Sequence, residues 1–179
     1  VRGADRADGG RLPASAIAVK RNMNEDPIKR DGLKPEFWKH KPLKSLSPKE
    51  WEALCDGCGK CCLNKLEDED TGEVALTRIA CRLLDDQSCK CGQYPIRHQF
   101  IPDCIVLKPS NIDKNAYWMP KTCAYRLLWS GQPLFDWHPL ISGDPETVHT
   151  ANISVRGITL SEFDINEEDW EDHIIEEPL

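Results

Sequence analysis

The chain has 179 residues, 40% hydrophobic and 30% charged, with a net charge of −7 and nine cysteines. That length supports one compact domain, and no apolar run approaches the roughly 20 residues of a membrane-spanning helix, which excludes a helical membrane protein. Residues 1–50 carry twelve Lys and Arg against seven Asp and Glu, so +5 sits there and −12 on the rest; an acidic body to which thiolates would add negative charge disfavours nucleic acid as the main partner.

Residues 1–35 read as a flexible N-terminal arm and residues 36–179 as the folded domain. The first 22 residues, rich in Arg, Gly, Ala and Asp, show no helical or strand period. The chain begins at Val1 and meets its first methionine at Met23. Either Met23 is the natural start, with residues 1–22 outside the natural chain, or the arm is a genuine tail. Phe37 and Trp38 are the aromatics able to pin this region to the body.

Ser47-Pro48-Lys49-Glu50 predicts a helix start, with Ser47 as N-cap, Pro48 at the first helical position and Glu50 closing a capping box. Trp51, Leu54 and Cys55 share one face, so this helix delivers Cys55 from its C-terminal end. Next comes Cys55-Asp56-Gly57-Cys58-Gly59-Lys60-Cys61-Cys62, a C-x-x-C-x-x-C-C run. Two residues between cysteines make a loop just long enough to bring both sulfurs to one ion, and Gly57 and Gly59 permit the tight turns this needs. An acidic turn follows at 67–72. Glu73 to Cys81 predicts a strand ending on Cys81, which Leu83 and Leu84 could extend. Cys89 and Cys91, at i and i+2, would face one side of an extended backbone and suit joint ligation. Beyond them the sequence predicts a short helix over 94–100, broken near Cys104, and a turn over 111–115 that Ser110 can cap. A helix from Cys123 to Trp129 follows, with Thr122 as N-cap and an apolar stripe of Tyr125, Leu128 and Trp129. A last helix is expected from Asn166. These short, mixed elements predict a small single α+β domain of irregular loops, stabilised by cysteine-ligated metal.

Nine thiols fit either a disulfide scaffold or a thiolate metal protein, and compartment decides between them. The apolar patch Ala14 to Val19 is shorter than a secretory signal's core, an odd count strands one thiol, and a bridge between neighbouring Cys61 and Cys62 would strain the peptide. Metal binding in the cytoplasm is the expectation. Structural zinc draws C-x-x-C pairs from places well apart in sequence. A C-x-x-C-x-x-C triplet resembles ferredoxin loops, in which a distant cysteine, here Cys81, Cys104 or Cys123, takes the fourth corner of a 4Fe-4S cube. The candidate ligands are Cys55, Cys58, Cys61, Cys62, Cys81, Cys89, Cys91 and Cys104. Adjacent Cys61 and Cys62 diverge, so they serve two metals or include a non-ligand; Cys123, inside an amphipathic helix, has the best case for a core cysteine. His98, His138 and His149 read first as packed structural residues, His40 and His173 as solvated, and Asp56 and Asp103 as turn formers.

Seven short motifs appear in order: CDGCGKCC at Cys55–Cys62, ACRLLD at Ala80–Asp85, CKC at Cys89–Cys91, PDC at Pro102–Cys104, CAYRLL at Cys123–Leu128, WHPL at Trp137–Leu140 and SVRG at Ser154–Gly157. Together they resemble the bacterial YcgN-like family of cysteine-cluster proteins, within a wider C-x-x-C-x-x-C-C group described as a zinc- or iron-chelating domain. The resemblance runs from about Phe37 to His173 and implies bound metal without a reaction. Flagellin lysine N-methylases in the wider group carry a similar cluster, but no glycine-rich cofactor loop is found here to carry their activity over. Two readings follow: a metal-binding protein whose zinc or iron-sulfur centre is structural or presents a surface to another protein, and an iron-sulfur protein with redox or methyltransferase-like protein-modifying activity.

Overall fold

The computed structural model describes residues 28–177, so the expectations for residues 1–27, including a start at Met23, lie outside the described residues. The fold is small and mixed, as the sequence predicts. Six short helices are described: α1 (Phe37–His40), α2 (Pro48–Ala53), α3 (Ile112–Asn115), α4 (Ala124–Trp129), α5 (Pro139–Ser142) and α6 (Thr147–Thr150). The described strands are β1 (Leu63–Glu67), β2 (Val74–Ala80), β3 (Leu84–Asp85), β4 (Lys90–Cys91), β5 (Leu160–Ser161) and β6 (Ile174–Ile175). No helix among the described residues is long and apolar enough to cross a membrane.

The α2 helix starts as its sequence dictates. Ser47 Oγ accepts from the Glu50 N–H at 3.3 Å, the Glu50 carboxylate accepts from the Ser47 N–H at 2.8 Å, and Pro48 fills the first turn. Lys41 closes on the same carboxylate at 2.6 Å. Its hydrogen bond, more than any other contact, holds Glu50 down at about 2. The buried face carries Trp51, whose ring lies 4.7 Å from that of Tyr125 between centroids. The Tyr125 hydroxyl donates to the Trp51 carbonyl at 3.0 Å, and Trp51 Nε1 donates to Leu107 at 3.1 Å. Around this pair Phe37, Leu46, Leu54, Ile112, Ala116 and Leu134 form the main core, with Cys55 and Cys123 packed against its edge.

The sheet is organised on β2, whose β-branched and apolar residues make it the strand buried most deeply. On one edge β1 pairs with it antiparallel, Leu63 opposite Ala80 and Glu67 opposite Val74. On the other edge β5 pairs parallel at Ile79–Ala80 and β6 antiparallel at Leu76–Thr77. Leu63, Leu76 and Ala80 meet Cys89 and Val155 in a second core. A third, smaller core holds Cys58, Val148 and Ile153. The cysteine loop lies where the three cores meet.

Several local expectations shift. Leu83 and Leu84 do not prolong β2: the Leu84 N–H bonds back to the Cys81 carbonyl at 2.9 Å, and β3 forms a separate hairpin with β4. Thr122 does not cap α4, because its buried hydroxyl accepts from Lys60 Nζ at 3.3 Å; Cys123 occupies the cap position instead. The buried face of α4 is Ala124, Tyr125 and Leu127, while Trp129 is exposed and donates to Asp113 at 2.9 Å. The last helix, Glu167–His173 after Asn166, and the segment Tyr94–Gln99 are both of the tighter 3-10 type.

Candidate metal centre

The α2 helix ends at Ala53 with Leu54 as its C-cap, and the chain turns at once into the loop. Arg30 reaches across to the carbonyls of Ala53 and Cys55 and ties the helix end to the segment before it. Asp56 Oδ1 accepts from the Cys58 N–H at 2.9 Å, closing an Asx turn, as sequence reasoning assigns to this residue. Gly59 then takes φ 78°, and a Cβ there would stand 2.8 Å from Val155 Cγ2 and 3.1 Å from Cys89 Cβ. Only glycine allows the loop to lie this close to the second core. The 3-10 turn Lys60–Cys62 completes the run, with the Cys62 N–H donating to Gly59 at 3.0 Å, and β1 begins directly after it.

Several sulfurs share one local geometry. The N–H two residues on acts on the sulfur of Cys55, from Gly57; of Cys58, from Lys60; of Cys81, from Leu83; of Cys91, from Gln93; and of Cys123, from Tyr125. Such donors favour thiolate over thiol and are the usual support of metal-bound sulfur. Burial works against them. It pushes Cys55 and Cys58 well up, with the nearby Asp56 carboxylate adding to the effect. It takes Cys81 to about 11 and Cys123 to about 12. Cys61 alone moves down, to about 7, chiefly because the Cys62 thiol donates to it and secondarily because the Lys65 ammonium lies near. Lys65 acts on Cys61, Cys62 and Cys123 together and donates to the Cys61 and Leu63 carbonyls at 3.1 and 2.9 Å. Buried neutral thiols with N–H donors already in place are chemically suited to exchange protons for a soft cation, and a thiol-only donor set fits zinc or iron.

The sulfurs are neighbours rather than a closed coordination sphere. Among the described residues no three His, Cys, Asp or Glu side chains stand close enough to hold an ion as they are. Electrostatic reach nonetheless runs on from one part of the group to the next, since the Cys61 and Cys62 thiols bond each other and Cys91 also feels Cys61. Cys55 feels Cys61 and Cys123, and Cys58 feels Cys61 and Cys55. Cys62 feels Cys81 and Cys91, Cys81 feels Cys91 and Cys104, and Cys91 feels Cys104 and Cys61. Cys89 stands apart: its backbone has φ 57°, so the extended i, i+2 arrangement expected for Cys89 and Cys91 does not form. Its strongest neighbours are Ser154, Arg156, Asp86 and the Val155 N–H. Lys65, a basic partner to the sulfurs, is missed by sequence reasoning; its place in β1 beside the cluster was the available signal.

Four histidines have hydrogen-bond contacts with protein groups. His138 is 1% exposed, donates from Nε2 to the Leu54 carbonyl at 3.0 Å and accepts at Nδ1 from the Leu140 N–H at 3.1 Å, which fixes a neutral tautomer. His149 meets Ser154 Oγ at 2.7 Å beside a cavity of about 310 Å³ that Arg156 and Asn152 also line. His173 accepts from Arg78 Nε at 3.2 Å, and His98 lies 3.3 Å from the Pro102 carbonyl. Asp56 Oδ2 is buried without a hydrogen-bond partner.

Residues 54–124 match the family model CxxCxxCC, described as "Putative zinc- or iron-chelating domain". This span begins one residue before Cys55 and ends one residue after Cys123. Over 145 residues the chain is 65% identical to a UPF0260 protein of Rhodobacter capsulatus, covering 81% of this chain and 97% of the relative. A UPF0260 protein of Cellvibrio japonicus is 55% identical over 78% of this chain and 94% of its own length. One of Allorhizobium ampelinum is 54% identical over 80% and 89%. No solved structure gives a significant match.

Proposed function

This chain belongs to the UPF0260 family, and we propose that it is a thiolate metal protein whose zinc or iron-sulfur centre locks the cysteine loop and presents the surrounding surface to another protein. The observation that carries the reading is the Cys55–Cys62 loop itself, four thiols within eight residues, with Cys55 packed on the first core, Gly59 against the second and Cys58 in the third. Cys55, Cys58, Cys61 and Cys62 would hold the metal together with thiols from the β2–β3 corner and the start of α4. Bound there, the ion or cluster supplies cross-links between segments that share only small cores, and structural zinc contributes roughly 10 kcal/mol or more of apparent binding energy. The partner-facing part of the reading is supported by Tyr94, Ile96 and Ile105, exposed apolar side chains that flank Cys91 and Cys104 in sequence.

The test is thermal unfolding of protein purified without oxygen, before and after a chelator strips it. Stripping is expected to lower the melting temperature sharply or abolish the transition. An unchanged transition in fully stripped protein sinks the structural role.

A further inference from the structure

We propose that the end of α6 and the SVRG stretch after it form a binding site for a small molecule bearing a carboxylate or phosphate group. The site is the cavity of about 310 Å³ lined by His149, Thr150, Asn152, Ser154, Arg156 and Ile158. That volume lies at the lower end of the roughly 300–1,000 Å³ typical of small-molecule cavities. None of the six is a cysteine, so the site stands apart from the metal reading.

The chain builds this wall by turning back on itself. After α6, Asn152 takes φ 57°, a left-handed conformation that asparagine tolerates, and the N–H groups of Ile153 and Ser154 both donate to the Val148 carbonyl, at 3.1 and 3.2 Å. From there the side chains alternate. Ile153 and Val155 enter the third and second cores, whereas Ser154 and Arg156 line the cavity. The Val155 N–H donates to the Cys58 carbonyl at 2.9 Å, and its side chain lies against Gly59, so the wall is fixed to the cysteine loop.

Arg156 is held at the cavity in one orientation. Its Nε donates to the Gln87 carbonyl at 2.8 Å, and its two Nη atoms reach the Glu146 carboxylate at 2.9 and 3.5 Å. These contacts engage three of its five N–H groups, with Cys89 a further neighbour. His149 Nδ1 and Ser154 Oγ meet at 2.7 Å. With the Thr150 hydroxyl and the Asn152 amide, the lining gathers a guanidinium, an imidazole, two hydroxyls and an amide.

The charge at this place favours an anion. Among the described residues no Asp or Glu lines the cavity. Glu146, beside it, is engaged by Arg156, and Lys90 lies near enough to act on both Glu146 and His149. On a chain that is acidic overall, a lining of donors around a fixed guanidinium selects oxygen anions, which accept from such groups in charge-assisted hydrogen bonds. Ile158, exposed at the rim, gives the carbon skeleton of the ligand an apolar contact.

The experiment is equilibrium dialysis of the full chain, purified without oxygen, against radiolabelled inorganic phosphate and, separately, radiolabelled succinate, with chloride holding the ionic strength constant. Saturable binding of one equivalent per chain is expected for at least one probe, and binding of one probe alone supports the site and assigns its anionic group. Arg156→Gln should weaken binding about tenfold or more, the loss of a hydrogen bond to a charged group. Asn152→Gly keeps the left-handed backbone and removes the amide, and it should weaken binding about threefold. No saturable binding of either probe overturns the site, as does binding that neither variant alters. Should Arg156→Gln fail to fold, Asn152→Gly and Ser154→Ala decide, and unchanged affinity in both overturns the site.

Discussion

Gly59→Ala isolates how tightly the cysteine loop is held against the rest of the fold, and Gly57→Ala is its control. Both glycines have positive φ, 78° and 82°, so an alanine at either costs about 1–2 kcal/mol of backbone strain. Either change also returns about 0.4–1 kcal/mol by restricting the unfolded chain. Surroundings separate the two. A Cβ on residue 57 meets nothing closer than Lys90 Cε at 3.8 Å, the movable end of a long side chain. On residue 59 it would lie 2.8 Å from Val155 Cγ2 and 3.2 Å from the Cys89 carbonyl oxygen, and Val155 is fully buried with no room to retreat. Overpacking of that kind adds about 1–3 kcal/mol. Gly57→Ala should therefore cost about 1 kcal/mol and Gly59→Ala about 2–4 kcal/mol. Urea unfolding of metal-loaded protein at one fixed free-metal concentration reads the difference as a shift in midpoint at unchanged slope. Equal losses for the two variants would refute the close approach of the loop to Val155 and Cys89.

Glu50, held at about 2 chiefly by the Lys41 hydrogen bond, has a folded value below its ordinary 4.5. Its contribution to stability is present above 4.5 and lost as pH falls toward 2, so Glu50→Gln should flatten that stretch of the acid limb in a pH series of melting temperatures; an unaltered limb contradicts the assignment. His138→Phe leaves the Leu54 carbonyl and the Leu140 N–H without their partner. It should cost about 2–4 kcal/mol in denaturant unfolding while metal content holds, and a loss below about 0.5 kcal/mol argues against the buried neutral tautomer.

Elements written in local chemistry were legible from the sequence. The capping box at Ser47 and Glu50 fixes the start of α2 with neighbours three residues apart, and the run Val74–Ala80 is strand-forming in its own right. Thr122 misled because its hydroxyl serves Lys60, a residue 62 positions away, and no local pattern announces that bond. The strands Leu160–Ser161 and Ile174–Ile175 are two residues each and exist only because β2 offers an edge. At the site, the C-x-x-C-x-x-C-C run announced its chemistry by spacing alone. What could not be read is where the distant cysteines fall, since the α2–α4 contact and the β3–β4 hairpin place Cys123 and Cys91. The left-handed backbone of Cys89, a conformation sequence rarely foretells for cysteine, was equally hidden.

If sulfur-bound metal holds this fold together, removing it should unfold the chain. The direct measurement is metal and labile sulfide content of anaerobically purified protein, taken with melting curves of the same sample before and after chelation. Stoichiometric zinc, or iron with sulfide, is expected, with a transition that collapses when the metal is removed. Protein that is metal-free as isolated, takes up neither metal and melts in one unchanged transition would contradict it.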